Sequence, residues 1–161
     1  MRRFPAAPLD RFTRLTTGLF LGIVLVVALV TGSATRDPLT LLVVLLASAV
    51  AVCAVWGFAP DAFEVGPGEL RVRRNIFGTL AFQVEGPADR ADRPSFGLGG
   101  LRVLGSGGAF GWYGRFWRPG LGFYRAYVTD RSTLVAVPTD RGLVIVSPAD
   151  ADAFTTAVTR K

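Results

Sequence analysis

The sequence predicts a membrane α-helical hairpin followed by a mainly-β domain that ends in one capping helix. Three observations carry this. Residues 15–35 and 38–60 hold no charged side chain, and each run exceeds the roughly 20 helical residues needed to cross a hydrocarbon core about 30 Å thick. From residue 61 onward the chain breaks into short alternating or aromatic segments, separated by turn residues about every ten positions, which is the spacing of a small antiparallel β domain. The last segment, "SPADADAFTTAVTRK", has the composition of a helix start.

The two apolar runs, "LTTGLFLGIVLVVALVTGSA" and "LTLLVVLLASAVAVCAVWGF", predict helices over about 15–34 and 39–58. A buried core helix is the competing reading, and two such runs back to back argue against it. The link "SATRDP" is short, so the helices are antiparallel neighbours. Pro38 suits the first turn of the second helix, where its missing N–H costs nothing. Arg2, Arg3, Arg11 and Arg14 also resemble the basic region of a signal peptide, but the apolar stretch is longer than such peptides use. Gly18 and Gly22 have the small-xxx-small spacing that lets helices approach closely, which predicts packing within the hairpin. The spans hold no ionisable group, so the hairpin forms no ion pathway by itself.

Basic residues set the expected orientation. Four arginines precede the first helix, only Arg36 lies at the tip, and thirteen basic residues follow Phe58. Both termini are therefore expected on the cytoplasmic side of the membrane, with the hairpin tip outside. The net charge of +6 and isoelectric point near 10.7 follow from these flanks and need no nucleic acid to explain them. Histidine is absent and Cys53 is the single cysteine, in mid-helix. That excludes an internal disulfide and the usual Cys/His zinc site. No catalytic residue, cofactor or metal is expected, because the general acid–base repertoire is missing.

In the β part, "AFEV" and "ELRVRR" flank a Gly-Pro-Gly turn, with Leu70 and Val72 on one face and Arg71 and Arg73 on the other. "TLAFQVEG" alternates similarly, and "GPADRADRPSFGLGG" is a polar loop. "LRVLG", "WYGRFW", "FYRAYVTD", "STLVAVPTD" and "GLVIVSP" are the remaining strands. Asp130 and Asp140 fall at turns, where aspartate bonds its own backbone. In the final helix Ser147 is the expected N-cap, Pro148 the first helical residue and Asp150 the capping-box acid. Arg160 and Lys161 suit its negative end. Ala151, Phe154 and Val158 form the stripe that would face the β core.

"LRVLGSGGAFGWYGRF", "GLGFYRAYVTD" and "VIVSPADADAFTTAV" together resemble the bacterial pleckstrin-homology-like (PH-like) domains of uncharacterised membrane proteins. The resemblance covers about residues 60–160. It implies bent antiparallel sheets of about seven strands with one carboxy-terminal capping helix, and it implies no chemistry. The expected organisation is a basic cytoplasmic segment at 1–14, two transmembrane helices within 15–58 and a cytoplasmic PH-like domain at 60–161. Phosphoinositide-binding relatives place basic residues in the first hairpin loop. Here that loop is Gly66-Pro67-Gly68-Glu69, so recognition of such a headgroup is not expected. Arg71, Arg73 and Arg74 leave a weak attraction to anionic lipid, about 1 kcal/mol each near a charged surface.

Residues 105–127, "GSGGAFGWYGRFWRPGLGFYRAY", are the most unusual stretch. A phosphate loop needs a following lysine and helix, and both are missing. An RNA-recognition motif interleaves two helices with its strands, whereas this domain has one helix, at its end. The glycines are therefore read as structural: a turn at Gly105, Gly107 and Gly108, bends or a bulge at Gly111 and Gly114, and a second turn at Pro119–Gly120. The stretch still holds more large side chains than one small core can bury. Trp112, Tyr113, Arg115, Trp117 and Arg118, with Arg71 and Arg73, are the candidate surface for a protein partner or for lipid. Tryptophan, tyrosine and arginine suit an interface hot spot, and they also suit a lipid headgroup layer. The expected function is a membrane-anchored, non-enzymatic binding or scaffold domain acting through a protein partner or self-association. The alternatives are an accessory or regulatory subunit of a transport or envelope complex, or a module contacting anionic lipid.

Overall fold

The structure, a computed structural model, describes residues 1–35, 37–91 and 101–159. The expectations for Arg36, for the polar loop beyond Ala91, and for Arg160 and Lys161 lie outside the described residues. The chain forms β1 (Arg2–Pro5), α1 (Arg11–Ala34), α2 (Pro38–Phe58), β2 (Pro60–Gly66), β3 (Glu69–Arg74), β4 (Thr79–Gln83), β5 (Asp89–Arg90), β6 (Leu101–Gly108), β7 (Gly111–Arg118), β8 (Gly122–Val128), β9 (Val135–Thr139), β10 (Gly142–Val146) and α3 (Ala151–Thr159).

Both α1 and α2 are long and apolar enough to cross a membrane, and almost nothing along them is buried. Asp10 caps α1 and Asp37 caps α2. Pro38 opens α2, where a missing N–H is tolerated. Gly18 and Gly22 do not serve the hairpin's packing: a Cβ added to either meets nothing within 4 Å. The close approach falls instead at Gly32, whose Cβ would lie 3.3 Å from Leu41. The small-xxx-small pair faces away from α2 because the two helices meet along a different stripe.

Two sheets build the β domain, ordered β1-β2-β3-β4 and β5-β9-β10-β8-β7-β6. There are ten described strands rather than about seven, and one pairing departs from the antiparallel expectation. β10 lies between β9 and β8, antiparallel to β9 and parallel to β8. The reason is local. The tight β9–β10 hairpin carries β10 back alongside β8, so the two run in the same direction. β5 adds a short pair within the segment read as a polar loop.

The amino-terminal segment belongs to the domain. β1 pairs with β2, setting Phe4 opposite Phe63. The Ala7 N–H donates to Ser147 O at 2.8 Å, and Ala149 N–H donates to Pro5 O at 3.0 Å. Both flanks of the hairpin therefore enter one folded body, on one side of the helices. The same contacts correct the start of α3. Pro148 bridges Ala6 and residues 149–150 form a bend, so the helix begins at Ala151 and Asp150 is the cap, accepting from Ala153 N–H at 2.9 Å. Ser147 is fully buried, and its Oγ accepts from Thr129 N–H at 2.8 Å.

The main core lies between the sheets. Phe63, Leu70, Val72 and Phe82 meet Val135, Val137, Val144 and Val146, and Phe154 of α3 closes one end. Alternation along the second sheet sends Phe116, Tyr124, Ala126 and Ile145 to its other face, where they form a second cluster.

Candidate functional site

Strand register organises the unusual stretch into layers. β7 pairs with β8 so that Tyr113 faces Tyr127, Arg115 faces Arg125 and Trp117 faces Phe123. β6 extends the layers with Ser106 opposite Tyr113, Leu104 opposite Arg115 and Leu101 opposite Trp117. Directly paired residues share a face, so this face carries a tyrosine layer, an arginine layer and an apolar layer in turn.

Glycine makes the layers possible. Gly105 and Gly114 are paired across β6 and β7 with φ of 128° and 124°. A Cβ at either would lie 2.0 Å from a carbonyl oxygen, that of Tyr113 or of Leu104. The hairpin closes at Ala109–Phe110 rather than at the preceding glycines, which belong to β6, and Phe110 takes a left-handed φ of 56°. This tip docks on α1. Phe110 N–H donates to Thr17 Oγ1 and Thr16 Oγ1 donates to Gly108 O, both at 2.8 Å. The Phe110 ring meets Phe20 edge-on at 6.5 Å.

The candidate residues divide. Tyr113 is buried rather than exposed, and its hydroxyl donates to Val55 O at the end of α2. Burial drives its pKa up to about 12, against a smaller lowering by the hydrogen bond with Ser106. Trp112 is half-buried and stacks on Phe12 of α1 with ring centroids 6.2 Å apart. Arg115 is exposed, and Trp117 and Arg118 are partly so. Arg71 and Arg73 stand apart on β3. Arg71 pairs with Glu69 at 3.0 Å and Arg73 with Asp61 at 3.5 Å, so carboxylates already share their charge. The structure therefore does not gather the seven residues into one surface.

It gathers a different set. A cavity of about 640 Å³ lies between the arginine layer and the ends of the hairpin. Its walls include Phe20 of α1, Ala54, Val55 and Phe58 of α2, and Leu104, Tyr113 and Tyr127 of the sheet. Arg74, Arg102, Arg115 and Arg125 also line it, and no acidic residue among the described residues does. Arg74 is held over the Phe58 ring at 5.3 Å and donates to Gly78 O and Phe77 O. Arg125 donates to Arg141 O. Arg74 and Arg125 were missed as partners of Arg115. One signal was present, since Arg115 and Arg125 lie equally far on either side of Gly120, the centre of a turn.

Comparison with known proteins gives one match. A family model described as bacterial PH domain covers residues 91–161. The hairpin and β1–β5 lie outside those residues. No curated protein and no solved structure matches the chain.

Proposed function

From the premise that the chain carries a bacterial PH domain over residues 91–161, we propose that it is a membrane-anchored, non-enzymatic binding module. Its anchor is the α1–α2 hairpin, and its β domain holds a protein partner, a second copy included, at the cytoplasmic face. The family supports a binding module in general. The arginine-rich flanks support the orientation, and so does the entry of both flanks into one body.

The observation that carries the partner reading is the edge of the second sheet. β6 is the last described strand of that sheet. Leu101, Val103 and Leu104 on it are more than half exposed, as is Phe123 on β8. An edge strand offers unpaired N–H and C=O groups, and an incoming strand can take them while its side chains cover the apolar ones. Light scattering on the full chain in detergent, beside Val103→Glu and Leu101→Glu, tests this. A defined oligomer that falls to monomers in the variants supports self-association. A wild-type monomer that cross-links to no protein in native membranes through β6 overturns the reading.

A further inference from the structure

Arg115 and Arg125 oppose each other directly across β7 and β8. Like charges in that position repel. Among the described residues no carboxylate lines the cavity they face. Arg125 donates to the Arg141 carbonyl and lies 6.0 Å from the centre of the Phe82 ring, whereas Arg115 makes no hydrogen bond or ion pair among the described residues. Arg74 adds a third guanidinium, fixed by backbone carbonyls and the Phe58 ring. With Arg102, which also lines the cavity, four cations surround it and form a site for an anion, because guanidinium groups bind phosphate through paired N–H donors.

The opposite wall rules out a simple inorganic ion as the best fit. It is made by Phe20, Val55 and Phe58. Phe58 ends α2, and Phe20 lies one to two turns inside the uncharged part of α1. The cavity therefore straddles the level where charge gives way to hydrocarbon. Its volume of about 640 Å³ falls within the range of small-molecule sites. An occupant that satisfies both walls presents a phosphate to the arginines and hydrocarbon to the helix ends.

We propose that this cavity binds one anionic phospholipid of the adjoining leaflet, with its phosphate at Arg115, Arg125 and Arg74 and its acyl chains along α1 and α2. The lipid would neutralise the opposed arginines and fix the β domain against the hairpin. This rests on the reading of α1 and α2 as a membrane hairpin. It is independent of the partner reading at β6, whose test substitutes other residues.

The test is native mass spectrometry of the full chain after reconstitution in phosphatidylcholine, with and without phosphatidylglycerol. The variants are Arg115→Gln/Arg125→Gln and, as a control for general surface charge, Arg71→Gln/Arg73→Gln. The expected result is one phosphatidylglycerol retained by the wild type and the control. Retention should fall about tenfold or more in the first variant, since each arginine near an anionic lipid contributes on the order of a fewfold to tenfold. In pure phosphatidylcholine the first variant should unfold at an equal or higher temperature than wild type, because a repulsion has been removed. Equal retention by wild type and the first variant overturns the proposal. So does full displacement of the lipid by inorganic phosphate, which marks a free-anion site, or by an acidic peptide, which marks a protein site. A chain that remains soluble without detergent or lipid overturns the hairpin reading, and this proposal with it.

Discussion

Asp10 joins the first apolar helix to the β domain through Arg131. Its Oδ2 accepts from Arg131 Nε at 2.7 Å, while Oδ1 accepts from the Thr13 N–H at 2.6 Å and so caps α1. The Arg131 guanidinium also lies 4.4 Å from the centre of the Phe12 ring, which stacks on Trp112. Partial burial would raise the Asp10 pKa, but the hydrogen bonds from Arg131 and Thr13 outweigh it and hold the pKa at about 2. The folded pKa lies below the unfolded one. The stabilisation is therefore complete above about pH 4 and is lost as pH falls toward 2. Asp10→Asn should remove on the order of 2 kcal/mol near neutral pH. It should also flatten the acid limb of thermal unfolding measured between about pH 5 and pH 2. An unchanged acid limb would show that Asp10 is not the group responsible.

Phe4 packs against Phe154 with centroids 5.3 Å apart and is almost fully buried. The residues before the first helix are thus part of the β-domain core. Phe4→Ala should cost about 3–5 kcal/mol, the usual loss for a buried phenylalanine. Residues 59–161 produced alone should be poorly folded. Joining residues 1–10 to residue 59 through a flexible linker that replaces the hairpin should restore cooperative unfolding by circular dichroism. Equal stability with and without residues 1–10 would contradict the role of β1.

Glycine tolerance should split by position. Gly105→Ala places a methyl 2.0 Å from the Tyr113 carbonyl at a φ of 128°, so β6 and β7 must separate. The expected cost is above about 4 kcal/mol, beyond the usual range for point changes, read as loss of folded protein in detergent. Gly18→Ala meets nothing and should be neutral or slightly stabilising, by up to about 1 kcal/mol, because alanine favours the helix.

All three tyrosines are shifted upward, each mainly by burial, with arginines opposing at Tyr124 and Tyr127 and the Ser106 hydrogen bond at Tyr113. An acid whose folded pKa is raised keeps its proton in the folded state. Stability is then complete below about pH 10 and falls above it, as the unfolded chain ionises first. Phenolate absorbance should stay low at pH 10 in folded protein and rise on unfolding. Tyr113→Phe should remove its share of this alkaline dependence. It should cost only about 1 kcal/mol near neutral pH, the net worth of a single hydrogen bond.

Much of this molecule was determined by sequence alone, because the relevant physics is local. Uncharged length makes two helices long and apolar enough to cross a membrane. Alternation marks "ELRVRR" as a half-buried strand. Pro67–Gly68 and Pro119–Gly120 mark turns, and Phe154 and Val158 mark the inner face of α3. Tertiary structure decided what depends on distant segments meeting. Four residues before the first helix become a strand only because β2 and residues 147–149 are there to pair with them. The same contacts tie residues 148 and 149 to the amino-terminal segment and move the helix cap from Ser147 to Asp150. Trp112 and Tyr113 leave the expected surface because α1 and α2 supply Phe12 and Val55 as their partners. The cavity beneath the arginine layer exists only where the sheet register, set by turns, meets helix ends fixed by the hairpin. No single stretch of sequence encodes that meeting.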